Sequence, residues 1–129
     1  MKRCLPGINI QFPISRLILS GDKTIETRTY PIPKKYIGKD LALVETPGPK
    51  GQFKARIIGV VRFSRCFKYE SETAFYKDSK RHRVTPRSPW KWRNDRPKWG
   101  WQIDFMEPLD KEVPLQKRPG IVFTLAVQY

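Results

Sequence analysis

Pro13-Ile14-Ser15-Arg16-Leu17-Ile18-Leu19-Ser20-Gly21-Asp22-Lys23-Thr24-Ile25-Glu26-Thr27-Arg28 is the stretch on which the fold turns. Pro13 suits the first turn of a helix, where a missing N–H is no loss. Ile14, Leu17 and Ile18 recur at helical spacing, and Ser20-Gly21 stops the helix after about two turns. A Thr-rich strand then runs from Thr24 to Tyr30 and ends at Pro31 and Pro33. Side chains alternate along a strand, so Thr24, Glu26, Arg28 and Tyr30 share one face and Ile25 takes the other. Glu26 and Arg28 lie about 6–7 Å apart at Cα, two strand rises, so their charged groups reach each other. Lys23 stands at the mouth of the turn. On an open surface such a group is an ion pair worth about 0–1 kcal/mol. In a cationic cleft, a lone carboxylate is suited to accept a hydrogen bond from a base, such as a cytosine amino group.

The flanking sequence supplies strands. Ile8-Asn9-Ile10-Gln11-Phe12 alternates apolar and polar, as a half-buried strand does. Leu41-Ala42-Leu43-Val44 is a short apolar run suited to a strand covered on both faces. Pro47-Gly48-Pro49-Lys50-Gly51 is the strongest turn signal in the chain. Phe53 to Phe67 is long and β-rich, and its central Gly59 predicts a bend or bulge. Glu70 to about His82 reads as a helix capped by Ser71. Trp101 to Met106 is a further strand, and Gly120 introduces a last one, where Ile121, Phe123, Leu125 and Val127 share a face. The order is β-α-β-β-β-α-loop-β-β. Many short strands around two or three short helices predict an α+β fold built as a small mixed β-barrel.

Length and composition agree with one domain over residues 1–129. Lys plus Arg number 26 and Asp plus Glu 12, a formal charge of +14, with 39% hydrophobic and 12% aromatic residues. That apolar content excludes a wholly disordered basic tail. The charge is uneven: +4 in residues 1–49, +11 in 50–99 and −1 in 100–129. A domain this basic attracts polyanions, nucleic acid first among them. Two cysteines, Cys4 and Cys66, make no disulfide scaffold and read as small core residues. With a single histidine, His82, no metal cluster is expected. No cofactor is expected either. Met1-Lys2-Arg3-Cys4 resembles the start of a signal peptide, but Asn9, Gln11, Ser15 and Arg16 break the apolar run. No stretch approaches the ~20 apolar residues of a membrane span. A cytoplasmic, reduced protein is expected.

The most basic part is an excursion over residues 77–99, with nine bases in twenty-three residues and Trp90, Trp92 and Trp99 interleaved. Basic side chains track phosphates while Trp and Arg planes stack on unpaired bases. Arg81, His82, Arg83, Trp90, Lys91, Trp92 and Arg93 are the candidate nucleic-acid contacts here. The plainer possibility is that the indoles cap the barrel end beneath Lys and Arg stems. Asp78 and His82, four residues apart, would face one side of a helix, an arrangement used by general bases, although Lys80-Arg81-His82-Arg83 also fits a solvated basic run.

Gly21-x-Lys23-x-x-Glu26-x-Arg28, preceded by the helix of residues 13–20, resembles the signature of the ASCH domain family of the PUA-like superfamily. Trp99-Gly100-Trp101-Gln102-Ile103 and Gly120-Ile121-Val122-Phe123 look like that family's closing strands, so the resemblance spans about residues 8–127. It implies a PUA-like β-barrel with a cleft beside the first helix and second strand, and RNA-related roles. Some small members are amidohydrolases of N4-acetylcytidine and some are nucleases. The amidohydrolases use a Lys, a Thr three residues later and a Glu from a downstream helix. Here the Lys falls on Lys23 and the Thr position on Glu26, a carboxylate in place of a hydroxyl nucleophile. Thr24 follows the lysine by one residue, and Glu70 and Glu72 are candidates for the helical carboxylate.

Three functions follow as expectations. The first is an RNA- or nucleotide-binding domain whose cleft floor holds Lys23, Glu26, Arg28 and Tyr30, with the basic excursion as its rim. Its partners would be RNA, single-stranded nucleic acid or a modified nucleoside. The second is a hydrolase of acylated nucleosides or a ribonuclease, with Lys23, Glu26 and Thr24 as catalytic candidates; Lys23, desolvated among cations, would serve as a base. The third is a basic module that docks an acidic protein.

Overall fold

The computed structural model describes residues 4–49, 53–115, 119–120 and 122–128, the last four of these through their backbone. In chain order the elements are β1 (Cys4–Gln11), α1 (Ile14–Ser20), β2 (Ile25–Arg28), β3 (Asp40–Thr46), β4 (Arg56–Lys68), α2 (Glu72–Lys77), α3 (Ser79–His82), β5 (Trp99–Pro114) and β6 (Phe123–Gln128), with a 3-10 turn at Lys34–Tyr36. This is a mixed α+β fold of one six-stranded sheet and three short helices. The strands pair in the order β2-β5-β4-β3-β1-β6. β1 runs parallel to β3, and the remaining pairs are antiparallel.

The expected barrel is not closed. β2 and β6 are the two ends of the sheet. β2 is only four residues long and pairs with β5 from Ile25↔Gln102 to Arg28↔Trp99. Such a short end strand offers little edge for a closing ladder.

α1 forms where the sequence places it. Gly21 at φ 85° ends it, its N–H donating to the Ile18 carbonyl at 3.1 Å. In β4 the register slips between Ile57 and Gly59, the bulge that Gly59 predicted. A Cβ at Gly59 would lie 2.8 Å from the Glu107 carbonyl oxygen, so the close approach of β5 requires glycine there. β5 is far longer than the expected Trp101–Met106 because β4 pairs with it from Lys68↔Trp99 to Arg56↔Pro114. Pro108 sits opposite Gly59, at the irregularity where a proline in a strand is tolerated.

The helix expected over residues 70–82 is instead two. Ser71 caps α2 as predicted, accepting from the Ala74 N–H at 3.1 Å. The Asp78 N–H turns back to the Phe75 carbonyl, and its carboxylate accepts from the Tyr69 hydroxyl and the Arg81 guanidinium. The helix breaks at Asp78, where these short-range bonds meet. Cys4 is exposed, not the core residue expected of it, whereas Cys66 is half-buried and packs against the main core. Of the turn at 47–51, residues 50 and 51 lie outside the described residues, as do Ile121 and the side chains of Leu125 and Val127.

Both faces of β3 are covered, as its continuous apolar run requires. One face packs Leu41 and Leu43 with Ile8, Ile10, Ile18, Val61, Phe63 and Trp101. The other packs Ala42 and Val44 with Ile57 and Leu115. A third cluster of Tyr69, Phe75 and Val84 supports the 83–98 excursion from beneath. Phe123 stacks on Tyr36 with ring centroids 4.3 Å apart and seats β6 on the main core. Among the described residues, no helix is long and apolar enough to cross a membrane.

Candidate functional site

A cavity of about 260 Å³ opens between the β1–α1 junction and the excursion, with β2 beneath it. Its lining includes Lys23, Glu26, Thr27 and Arg28 from below. Asn9, Ile10, Gln11 and Ile14 form one wall, and Arg83, Val84, Ser88 and Trp90 the other. The volume lies just under the ~300–1,000 Å³ of ordinary ligand pockets, a scale that fits one small ring system and excludes a duplex.

Local geometry fixes Lys23. Its N–H donates to the Leu17 carbonyl at 2.9 Å, tying it to α1. The next residue is held from both ends, the Thr24 N–H donating to the Arg81 carbonyl at 2.8 Å and its carbonyl accepting from the Ile103 N–H at 2.9 Å. Arg83 closes α3 with φ 63°, a left-handed conformation that costs a non-glycine residue about 1–2 kcal/mol. Its Nε donates to the Asp22 carbonyl at 3.0 Å. The turn before Lys23 is therefore clamped between α1, α3 and β5. Lys23 is left 3% exposed, its Nζ donating to the His82 carbonyl and lying 3.7 Å from Glu26 Oε1.

Glu26 holds the cations together. Its Oε2 accepts from Arg28 Nε at 3.1 Å and Nη2 at 2.9 Å, and its Oε1 from the Thr27 N–H at 3.2 Å. Arg28 Nη2 also donates to the Asn9 carbonyl at 3.0 Å, and the guanidinium lies 5.6 Å from the Trp101 ring centre. The planar guanidinium thus bridges β2 and β1, strands at opposite ends of the sheet but one. Burial pushes the Lys23 pKa down; the Glu26 carboxylate opposes that shift and the Arg28 charge adds to it. Burial also works against the Arg28 charge, but Glu26 and Tyr30 more than offset it and hold its pKa up.

The other sequence candidates separate. Arg83 and Trp90 line the cavity. Thr24 is exposed and outside the lining, although its neighbours on both sides belong there or abut it. Tyr30 is also exposed, its hydroxyl 3.4 Å from Arg28 Nη1 and its ring edge-on to Trp101. Arg81 pairs with Asp78, and Arg93 with Asp95 at 2.8 Å, so both guanidinia have local partners. Lys91 is exposed away from the cavity. Trp92 packs on Phe75 at 5.7 Å and donates its backbone N–H to the Tyr76 hydroxyl at 3.2 Å, which puts it in the support of the excursion.

His82 is fully buried, stacked on Phe75 at 4.2 Å. Its Nε2 lies 2.6 Å from the Phe75 carbonyl oxygen, so Nε2 carries the proton, and Nδ1 accepts from the Val84 N–H at 2.9 Å. Both nitrogens are occupied, and neither meets Asp78. The general-base pairing read from their spacing does not form. Burial depresses the His82 pKa, the Phe75 carbonyl opposing and Lys23 adding to the shift. Because the fold favours the neutral ring, stability is complete above the unfolded value of 6.5 and is lost as pH falls through the lower folded value. Urea titrations should show unfolding free energy falling as the pH drops below 6.5, by up to about 1.4 kcal/mol per pH unit. His82→Phe should flatten that slope, since the chain has no other histidine; an unchanged slope would refute the assignment.

Two site residues escaped the sequence reading. Asn9 is 7% exposed within an apparent strand; its Oδ1 accepts from Thr124 Oγ1 at 2.8 Å and its Nδ2 donates to the Gly120 carbonyl at 2.7 Å. The alternation Ile8-Asn9-Ile10 reads as an outward polar residue, and only the return of β6 covers it. Lys98 is 5% exposed, its Nζ donating to the Trp90 carbonyl at 2.7 Å. With Ser88 Oγ accepting from the Trp90 N–H at 3.0 Å, this holds the Trp90 backbone from both sides. Nothing in a run of nine bases marks Lys98 as the buried one.

No family model and no curated protein matches the sequence. Among solved structures, the chain is similar to the ASCH protein of Zymomonas mobilis, with TM-score 0.72 at 15% identity over 93% of this chain and 85% of that one. Two variant forms of the same protein give TM-scores of 0.71 and 0.68, at 15% and 14% identity over 93% of this chain and 88% and 86% of theirs. The chain has the ASCH-domain fold.

Proposed function

We propose that this ASCH-fold chain binds RNA or single-stranded nucleic acid and takes one nucleotide into the cavity above β2. The observation that carries the reading is the Lys23 ammonium, 3% exposed yet lining an open cavity, where burial alone would disfavour its charge. A lysine held against that penalty at the base of a pocket is the arrangement of a binding or catalytic group. Arg83 at the mouth supplies a phosphate contact, and Trp90 supplies a flat apolar wall for a base. The net charge of +14 attracts a polyanion to the chain as a whole.

Binding of a short single-stranded RNA should weaken steeply with salt, log K falling by about 0.7 per phosphate contacted. Arg83→Ala should remove close to one contact from that slope, while Trp90→Ala should weaken binding by about 5- to 100-fold and leave the slope intact. Affinity indifferent to salt would sink the proposal.

A hydrolytic reading of the same cavity has one observation in its favour, the lowered Lys23 pKa beside a carboxylate, as a general base requires. Its test is turnover of N4-acetylcytidine or of RNA that Lys23→Ala removes. With Thr24 outside the lining, Lys23 and Glu26 would have to act without a hydroxyl nucleophile from that position.

A further inference from the structure

Glu26 was the residue expected to read a base by accepting from its amino group, and its hydrogen bonds leave little room for that. A carboxylate has about four acceptor sites. Three N–H donors from Arg28 and Thr27 occupy them, together with the Lys23 ammonium at 3.7 Å. Arg28 is nearly spent as well, on Glu26, the Asn9 carbonyl and the Tyr30 hydroxyl. Lys23 differs. Of its three N–H groups, one meets the His82 carbonyl and one faces Glu26. Among the described residues the third has no acceptor, and Lys23 lines the cavity.

From this count we propose that the pocket selects a nucleobase carrying a ring carbonyl (guanine, uracil or cytosine) over adenine, with Lys23 as the reader and Glu26 as the clamp that orients it. The proposal rests on the nucleotide-binding reading above and deepens it. An ammonium offers donors only, so its complement is an acceptor oxygen. Guanine O6 and N7 form such an edge and are a recurrent lysine contact, whereas adenine has no ring carbonyl and sets its N6 amino donor beside N7, against the ammonium. The acceptor oxygen could in principle be a phosphate, but the depth of the two cations argues for the base. Lys23 is buried beneath the apolar walls of Ile10, Ile14 and Trp90, while the exposed Arg83 stands where a phosphate stays hydrated. Ring inward and phosphate outward also places the base against the Trp90 indole, whose backbone Ser88 and Lys98 hold in place.

The test is calorimetric titration of the full chain at low salt with GMP, UMP, CMP, AMP and ribose 5-phosphate, repeated with Lys23→Met. The three carbonyl-bearing nucleotides should bind about tenfold or more tightly than AMP, and ribose 5-phosphate weakly. In Lys23→Met the ratio of UMP to AMP affinity should fall close to one, with the folded state verified by circular dichroism. AMP binding as tightly as UMP, or a preference that survives Lys23→Met, would overturn the inference while leaving nucleotide binding intact. Ribose 5-phosphate binding as tightly as UMP would assign the ammonium to phosphate and equally overturn it. Failure of every nucleotide and of single-stranded RNA to bind the unaltered protein would remove the function proposed above and this inference with it.

Discussion

Lys23→Met is expected to weaken single-stranded RNA binding by about 10- to 100-fold while the melting temperature stays level or rises. The affinity loss follows from removing a charge-assisted hydrogen bond, about 1.5–3 kcal/mol. The stability result follows from the sign of the Lys23 shift. Its pKa lies below the ordinary 10.5, with burial the largest cause, so the fold prefers the neutral amine. That preference adds stability only above the unfolded pKa, and the gain is lost as pH falls through the folded value. At neutral pH the ammonium is therefore held against the preference of its surroundings, and methionine keeps the stem while releasing that penalty. Glu26 still has Arg28 and the Thr27 N–H after the change, and the His82 carbonyl, which loses the ammonium, offsets part of the gain. A melting temperature that drops with the affinity would make Lys23 a structural residue instead. Unchanged affinity would dismiss it from the site.

Glu45→Ala should produce the largest loss of stability, with no direct contact to the cavity removed. Glu45 is fully buried, and its carboxylate accepts from Ser15 Oγ at 2.6 Å, Arg16 Nη2 at 2.9 Å and Arg56 Nε at 2.8 Å. Glu112 joins the network, 2.8 Å from Arg16 and 3.4 Å from Arg56. Burial works against the Glu45 charge, but Ser15 and the two arginines outweigh it and hold its pKa below 4.5. Removing the carboxylate leaves Ser15 buried without its acceptor and two guanidinia with Glu112 alone. The arginines are about a third exposed, so water recovers part of the loss. About 2–4 kcal/mol is expected, a fall of roughly 10 °C in melting temperature. Glu45 stability is present above pH 4.5 and lost as pH falls through its depressed folded pKa. A thermal shift within a degree or two of the unaltered chain would show that the network contributes nothing net.

The two networks differ in how visible they are in the chain. Lys23, Glu26 and Arg28 fall within six residues, so strand alternation and a turn suffice to bring their charges together. Glu45 meets Ser15 across thirty positions and Glu112 meets Arg16 across ninety-six, and neither separation has a local signature. The same contrast runs through the elements. Gly21 declares itself because its role is local, a helix stop, and Gly59 because a lone glycine inside a long β-rich run marks a bulge whatever strand lies opposite. The break at Asp78 does not, since the segment has good helical propensity and an Asp beside Arg81 at i+3 reads equally well as a helical ion pair. β5 outgrew its expected length for the same reason: β4 supplied a partner along its whole course.

The basic excursion shows the limit most clearly. Sequence placed nine bases and three tryptophans in it and marked Arg81, His82, Arg83, Trp90, Lys91, Trp92 and Arg93 as contacts, with no local signal to separate one from another. Packing sorts them: Trp92 goes down onto Phe75, Arg81 and Arg93 fold onto their own aspartates, and Lys98 is buried to hold the Trp90 backbone. Trp90 and Arg83 are left facing the cavity.

By itself, then, the chain determined the strand-rich α+β character, the α1–Gly21–β2 unit and the meeting of Glu26 with Arg28, because propensity, turn chemistry and alternation act over a few residues. Only the tertiary structure decided that the sheet stays open, that His82 and Asn9 are satisfied structural groups, and that Lys23 rather than Glu26 keeps a hydrogen bond to offer. Those outcomes depend on which groups packing brings beside each donor and acceptor, such as the His82 carbonyl at Lys23 and Thr124 at Asn9, and alternation along a strand carries no record of them.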